Sequence, residues 1–123
     1  MDALPFTLTA EAEAQIADCL AVAERSPRNE NLLPSLRLSF NFQTWDSEDR
    51  ITERFDGESW DECGESPDDV RKHGFLPLQL CGRTVWFPPY ELEALTGKRL
   101  VVETIGVGVP QPADKKVRLL RAV

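Results

Sequence analysis

The sequence predicts an α+β domain, a small mixed or antiparallel sheet with an N-terminal helix and a short helix near residue 90. Three observations carry this. Apolar residues recur at helical spacing only over residues 10–24 and 90–95. Strict alternation, the mark of a half-buried strand, fills residues 36–42. The remaining apolar runs are joined by short turns, not by the long helices that parallel crossovers need. With 123 residues the chain is expected to form one domain over residues 1–123.

The first helix follows Leu8-Thr9. Thr9 suits the N-cap, because its hydroxyl can accept an orphan backbone N–H one turn on. Glu11 and Glu13 then favour the positive end of the helix dipole. Ala12, Ile16, Cys19, Leu20 and Ala23 form one apolar stripe. Cys19 is therefore expected to be a small buried hydrophobe, not a reactive thiol. Pro27 and Pro34 bracket a connector over 25–34.

In Leu36-Arg37-Leu38-Ser39-Phe40-Asn41-Phe42, the Leu and Phe residues share one face. This predicts a sheet covered on that face only. Residues 50–55 are expected to return as a second strand, paired as a hairpin. Residues 56–69 contain Gly57, Gly64 and Pro67 and read as irregular. Residues 44–72 therefore form an expected acidic, loop-rich insertion. Phe75–Leu80 and Thr84–Phe87 flank Cys81-Gly82-Arg83, a hairpin turn, and Pro77 places its strand at an edge. Pro88-Pro89 opens a short helix, and Gly97 stands where a left-handed C-cap belongs. Arg99–Ile105 is a strand, residues 106–114 a Gly/Pro loop, and residues 115–121 a basic terminal strand or tail.

The net charge is −7, unevenly spread. Residues 46–69 hold eleven acids against Arg50 and Arg54, a local charge of −9. Such a surface repels phosphates, which argues against nucleic acid as a partner. It is a solvated acidic loop, a docking surface for a basic partner, or a weak cation site. Trp45 and Trp60 either pin this stretch to the core or join a recognition surface with Asp61, Glu62, Asp68 and Asp69. No run is long and apolar enough for a membrane span, and Asp2 stands where a signal peptide wants a base. The expected compartment is the cytoplasm, with no membrane association.

Cys19, Cys63 and Cys81 form no Cys-x-x-Cys or Cys-x-Cys pair, and an odd, sparse set reads as reduced thiols. The candidate metal ligands are Cys63, Cys81 and the single histidine, His73, between them. His73 lies in the basic stretch Val70–Gly74, and nothing places a nucleophile beside it. Phosphate-loop, dinucleotide and nucleophile-elbow motifs are absent. No catalytic residue is assigned, and the expectation is a non-enzyme without a cofactor.

Three stretches carry a family likeness. They are Leu8-Thr9-Ala10-Glu11-Ala12 through Ile16 and Leu20, then Leu36-Arg37-Leu38, then Thr84 through Leu100 with its Pro-Pro, short helix and Leu-Thr-Gly. In this order they resemble the A-type iron–sulfur carriers, the HesB/IscA-like family. The resemblance implies a HesB-like fold and a link to iron–sulfur biogenesis. That family holds its cluster with three cysteines. One follows the Leu-Arg-Leu strand, and two form a Cys-Gly-Cys near the C-terminus. Here those places read Asn41-Phe42-Gln43-Thr44-Trp45 and Gly106-Val107-Gly108-Val109-Pro110. No cluster ligand carries over. The resemblance thus implies an interaction or adaptor domain on a fold that has lost its cluster site. The alternative it leaves open is a carrier of an iron–sulfur cluster or metal using Cys63 and Cys81, with His73 or a site shared across a homodimer.

Overall fold

The computed structural model describes residues 4–25, 31–107 and 115–123. Within them the chain is α+β and mostly sheet, with seven strands in the order β1-β6-β7-β3-β2-β5-β4. The strands are β1 (Thr7–Leu8), β2 (Leu33–Trp45), β3 (Ile51–Glu65), β4 (Leu76–Leu80), β5 (Arg83–Phe87), β6 (Arg99–Val107) and β7 (Lys115–Ala122). The helices are α1 (Ala10–Arg25), α2 (Pro67–Lys72) and α3 (Pro89–Leu95). Pairing is mixed: β1 with β6 and β2 with β5 are parallel, and the other neighbours are antiparallel. Among the described residues no helix is long and apolar enough to cross a membrane.

Helix α1 forms where its capping signal lies. The Ala12 N–H donates to Thr9 Oγ1 at 3.2 Å. Ala12, Ile16 and Leu20 are buried along one face. They meet Leu36 of β2, Trp60 of β3, Val85 and Phe87 of β5, Leu100 of β6 and Leu120 of β7 in a single core. Phe6 closes the core edge-on to Phe87, with ring centroids 5.8 Å apart. The turn from β4 to β5 has positive φ at both Cys81 and Gly82, which suits the right-handed twist of a tight hairpin. Gly97 has φ +79 after α3, the left-handed position expected of it. The basic C-terminal segment is a strand, β7, antiparallel to β6. Pro27 and the greater part of the predicted loop at 106–114 lie outside the described residues; Gly106 and Val107 still belong to β6.

Three expectations need correction. Pro34 does not end the connector before a strand; it lies inside β2, which is 13 residues long and not seven. Residues 56–69 are not irregular. They continue β3 to Glu65 and enter α2. Strand β3 keeps pace with β2 because it absorbs two register shifts. Opposite Phe40 it spends Gly57 and Glu58, and between Glu53 and Ile51 it spends Thr52. These bulges break the alternation that a sequence pattern relies on. Helix α2 has its own start signal, since Ser66 Oγ accepts the Asp69 N–H at 3.1 Å, with Pro67 at the first helical position. Acids in the first turn then suit the helix dipole. The insertion at 44–72 is thus a hairpin arm and a helix.

The third correction concerns the two faces of β2. Leu36 is 1% exposed, but Phe40 is 62% exposed, because the strand outruns the core. The opposite face is not simply wet. Ser35 is fully buried there. Arg37 lies 5.9 Å from the centre of the Phe75 ring and pairs with Glu65 at 2.6 Å. It also approaches Glu91 of α3 at 3.9 Å.

Glu91 is nearly buried, and its carboxylate accepts the backbone N–H of Leu38 at 3.2 Å. Strand β5 pairs with β2 at Ser35–Trp86 and then turns at Pro88 into α3. The helix thus supplies, through Glu91, the acceptor that a continuing strand would have offered. Removing it leaves that N–H without its partner, a loss of about 1–3 kcal/mol. Glu91→Ala should lower unfolding stability by about that amount in urea titrations, while Glu91→Gln, which keeps an acceptor oxygen, should lose less.

Candidate functional site

Among the described residues, strands β2 and β3 pair only with each other beyond Ser39. The ladder to β5 is made at Ser35, and the ladder to β7 at Trp60. The outer half of the hairpin, residues 40–56, is therefore a two-stranded ribbon standing past the sheet. A free ribbon in water is marginal, and this one is held at three points.

At its base, Arg121 of β7 lies 5.6 Å from the centre of the Phe55 ring and donates to the Glu58 carbonyl. Midway, Phe42 and Phe55 are direct cross-strand partners with ring centroids 6.0 Å apart. At the tip, Asp46 builds the turn. Its Oδ1 accepts the N–H groups of Glu48 at 2.8 Å and Arg50 at 3.1 Å. Those backbone bonds hold the Asp46 carboxyl below the usual carboxylate range. Asp49 takes the left-handed conformation that Asp tolerates in turns. Arg50 pairs with both Asp46 and Glu48.

The ribbon surface combines two properties. Phe40 is 62% and Trp45 58% exposed, large apolar groups with no core to enter. Residues 40–56 hold five acids and two arginines, a local charge of −3. This arrangement offers aromatic anchors within a negative field.

The other residues singled out from sequence fall elsewhere. Trp60 is 4% exposed and belongs to the core, so its ring offers nothing to a partner. Asp61 and Glu62 are neighbours on β3 and face opposite sides of the sheet. Burial raises the Asp61 carboxyl, and a hydrogen bond from Ser39 works against that rise. Asp68 and Asp69 lie at the exposed start of α2, where Asp68 pairs with Arg71. The predicted recognition set is therefore scattered, and only Trp45 lies on the ribbon. Phe40, Phe42 and Phe55 were not in it. A strand pattern longer than a small core can cover was their one sequence signal.

The metal candidates are scattered too. Cys63 is on β3, His73 caps the end of α2, and the Cys81 thiol donates to the Glu13 carbonyl of α1 at 3.5 Å. Among the described residues no group of three or more His, Cys, Asp or Glu side chains could hold a metal ion. Within the described residues of one chain, Cys63, His73 and Cys81 are not gathered into one donor shell.

A groove of about 820 Å³ lies between α1 and the inner ends of β2 and β3. Leu20, Leu33 and Pro34 contribute apolar wall, and Cys19 and Glu62 lie side by side in its lining. One Glu62 oxygen is buried without a hydrogen-bond partner. Burial, and then the charge of Asp61, push the Glu62 carboxyl up. Burial and Glu62 push the Cys19 thiol up to about 11. Desolvation also raises the Cys63 and Cys81 thiols.

Comparisons with protein-family models, with curated proteins and with solved structures find no match to this chain.

Two outcomes follow from the buried groups. A thiol near 11 holds roughly a hundredfold less thiolate at pH 8 than an unperturbed one. Peptide-resolved alkylation by iodoacetamide should therefore modify Cys19 about two orders of magnitude more slowly than a model thiol. The Glu62 carboxyl is raised on folding, so the native state holds its proton more tightly than the unfolded chain does. Its contribution to stability is present below the ordinary carboxylate value and is lost as pH rises through the raised native value. Glu62→Met should melt a few degrees above the wild type at pH 7, with the difference shrinking toward pH 4. An unchanged gap across that range would contradict the assignment.

Proposed function

We propose that this protein is a docking domain whose ribbon, residues 40–56, receives a basic protein partner. The observation that carries this reading is the exposure of Phe40 and Trp45 on an arm with a local charge of −3. Apolar anchors supply affinity through burial, and the charge selects and steers a cationic surface. A second copy of the chain is a poorer occupant at this place, because two such ribbons repel.

The same reading places the ribbon on a HesB-like body without cluster chemistry. The three stretches behind that likeness adjoin in the fold. Leu8 pairs in parallel with Leu100, and Trp86 pairs in parallel with Ser35, next to Leu36. The protein then acts by binding and carries no catalytic residue.

The test is peptide selection on the purified protein. Displayed random peptides should converge on sequences mixing Lys or Arg with aromatic or aliphatic residues. Their affinity should fall steeply with added salt. It should also drop at least about tenfold for a folded Phe40→Ser/Trp45→Ser variant, the order of change expected on losing a buried aromatic anchor. Selected peptides that bind the variant as well as the wild type would refute the reading.

A further inference from the structure

Strand β2 has one open edge, and its location is set by Glu91. The Leu38 N–H points away from β3 and donates to Glu91 at 3.2 Å. From Leu38 to Phe42, strand β2 advances one residue at a time, since the extra residues of the bulges are on β3. Successive N–H groups of a strand alternate in direction. The N–H groups of Phe40 and Phe42 therefore point the same way as that of Leu38, away from β3. Beside Leu38 this direction is occupied by α3. Beside Phe40 and Phe42 no strand is paired, and among the described residues neither N–H is taken by another element. Phe40 and Phe42 share one face of the strand, and Phe40 is 62% exposed.

We infer that the partner binds by strand addition, with an extended cationic segment pairing along the outer edge of β2 at Phe40 and Phe42. This rests on the docking reading above and gives it a backbone geometry. Glu91 shows the kind of group that edge takes, an oxygen acceptor directed at an outward N–H. The partner carbonyls would repeat that bond at Phe40 and Phe42. Alternate apolar side chains would lie beside the two rings, and the intervening lysines or arginines would enter the ribbon's negative field. A short open edge on a ribbon of net negative charge is also guarded against pairing with itself.

The probe is the peptide acetyl-(Lys-Val)4-Lys-amide, compared with the same peptide N-methylated at alternate residues. N-methylation keeps charge and side chains but removes the N–H groups of one edge and obstructs strand pairing there. Amide-resolved hydrogen exchange on the full chain should show the unmodified peptide slowing exchange at Phe40 and Phe42 by at least about tenfold. The peptide methylated on its pairing edge should bind at least about tenfold more weakly. Phe40→Pro, a substitution that an open edge tolerates, should bind the unmodified peptide more weakly than Phe40→Ala does. Equal binding of both peptides, or binding without protection at Phe40 and Phe42, overturns strand addition and leaves docking at the ribbon standing. No binding of either peptide also overturns strand addition, and the ribbon variants above then judge the docking reading separately.

Discussion

A strand inside a protein needs an acceptor for each buried N–H, and in β2 the supply changes hands at Leu38. Up to Ser35 the neighbour is β5. After Pro88 the chain turns into α3, and the Glu91 carboxylate takes over. Past this bond, β2 pairs with β3 alone among the described residues. The bond costs the burial of a carboxylate, and desolvation raises Glu91 accordingly. Arg37 offsets that cost. It bridges Glu65 on β3 and Glu91 on α3 while its guanidinium lies over Phe75. One arginine thus ties two strands and a helix together at the point where the ribbon leaves the body. Charge pairs of this kind hold geometry more than they add stability.

Outside that junction the ribbon is governed by different physics. There is no core to bury its aromatics, so order comes from local devices. An Asp-built turn forms the tip, a Phe–Phe pair braces the middle, and Arg121 clamps the base. These devices fix the arm while leaving Phe40 and Trp45 exposed. Anchors held on a hydrogen-bonded ribbon lose less ordering entropy on association than anchors on an unpaired loop would.

The acids of β3 serve two purposes according to depth. Those toward the tip stand in water and shape the field of the ribbon. Asp61 and Glu62, further in, are desolvated, and both carboxyls rise. Glu62 also suppresses the Cys19 thiolate. The alkyl stripe expected of α1 is present, but Cys19 sits at its margin beside a carboxylate, not in an apolar interior. The acid-rich segment is thus graded from a surface field to a desolvated interior.

Local chemistry made much of the body legible. Thr9, Gly97, the Cys81-Gly82 turn, Pro88-Pro89 and the alternation from Leu36 each act within a few residues, so spacing alone revealed them. The Ser66-Pro67 helix start is equally local, but the surrounding charge obscured it. The reach of β3 was not legible, because its two bulges erase the period of two that marks a strand. Nor was the exposure of Phe40. Leu36 and Phe40 carry the same pattern and the same face, yet only one of them has α1 beneath it. Sequence periodicity states which way a side chain points. Whether anything is there to meet it depends on how far the core extends, and that is a property of the assembled sheet and helices.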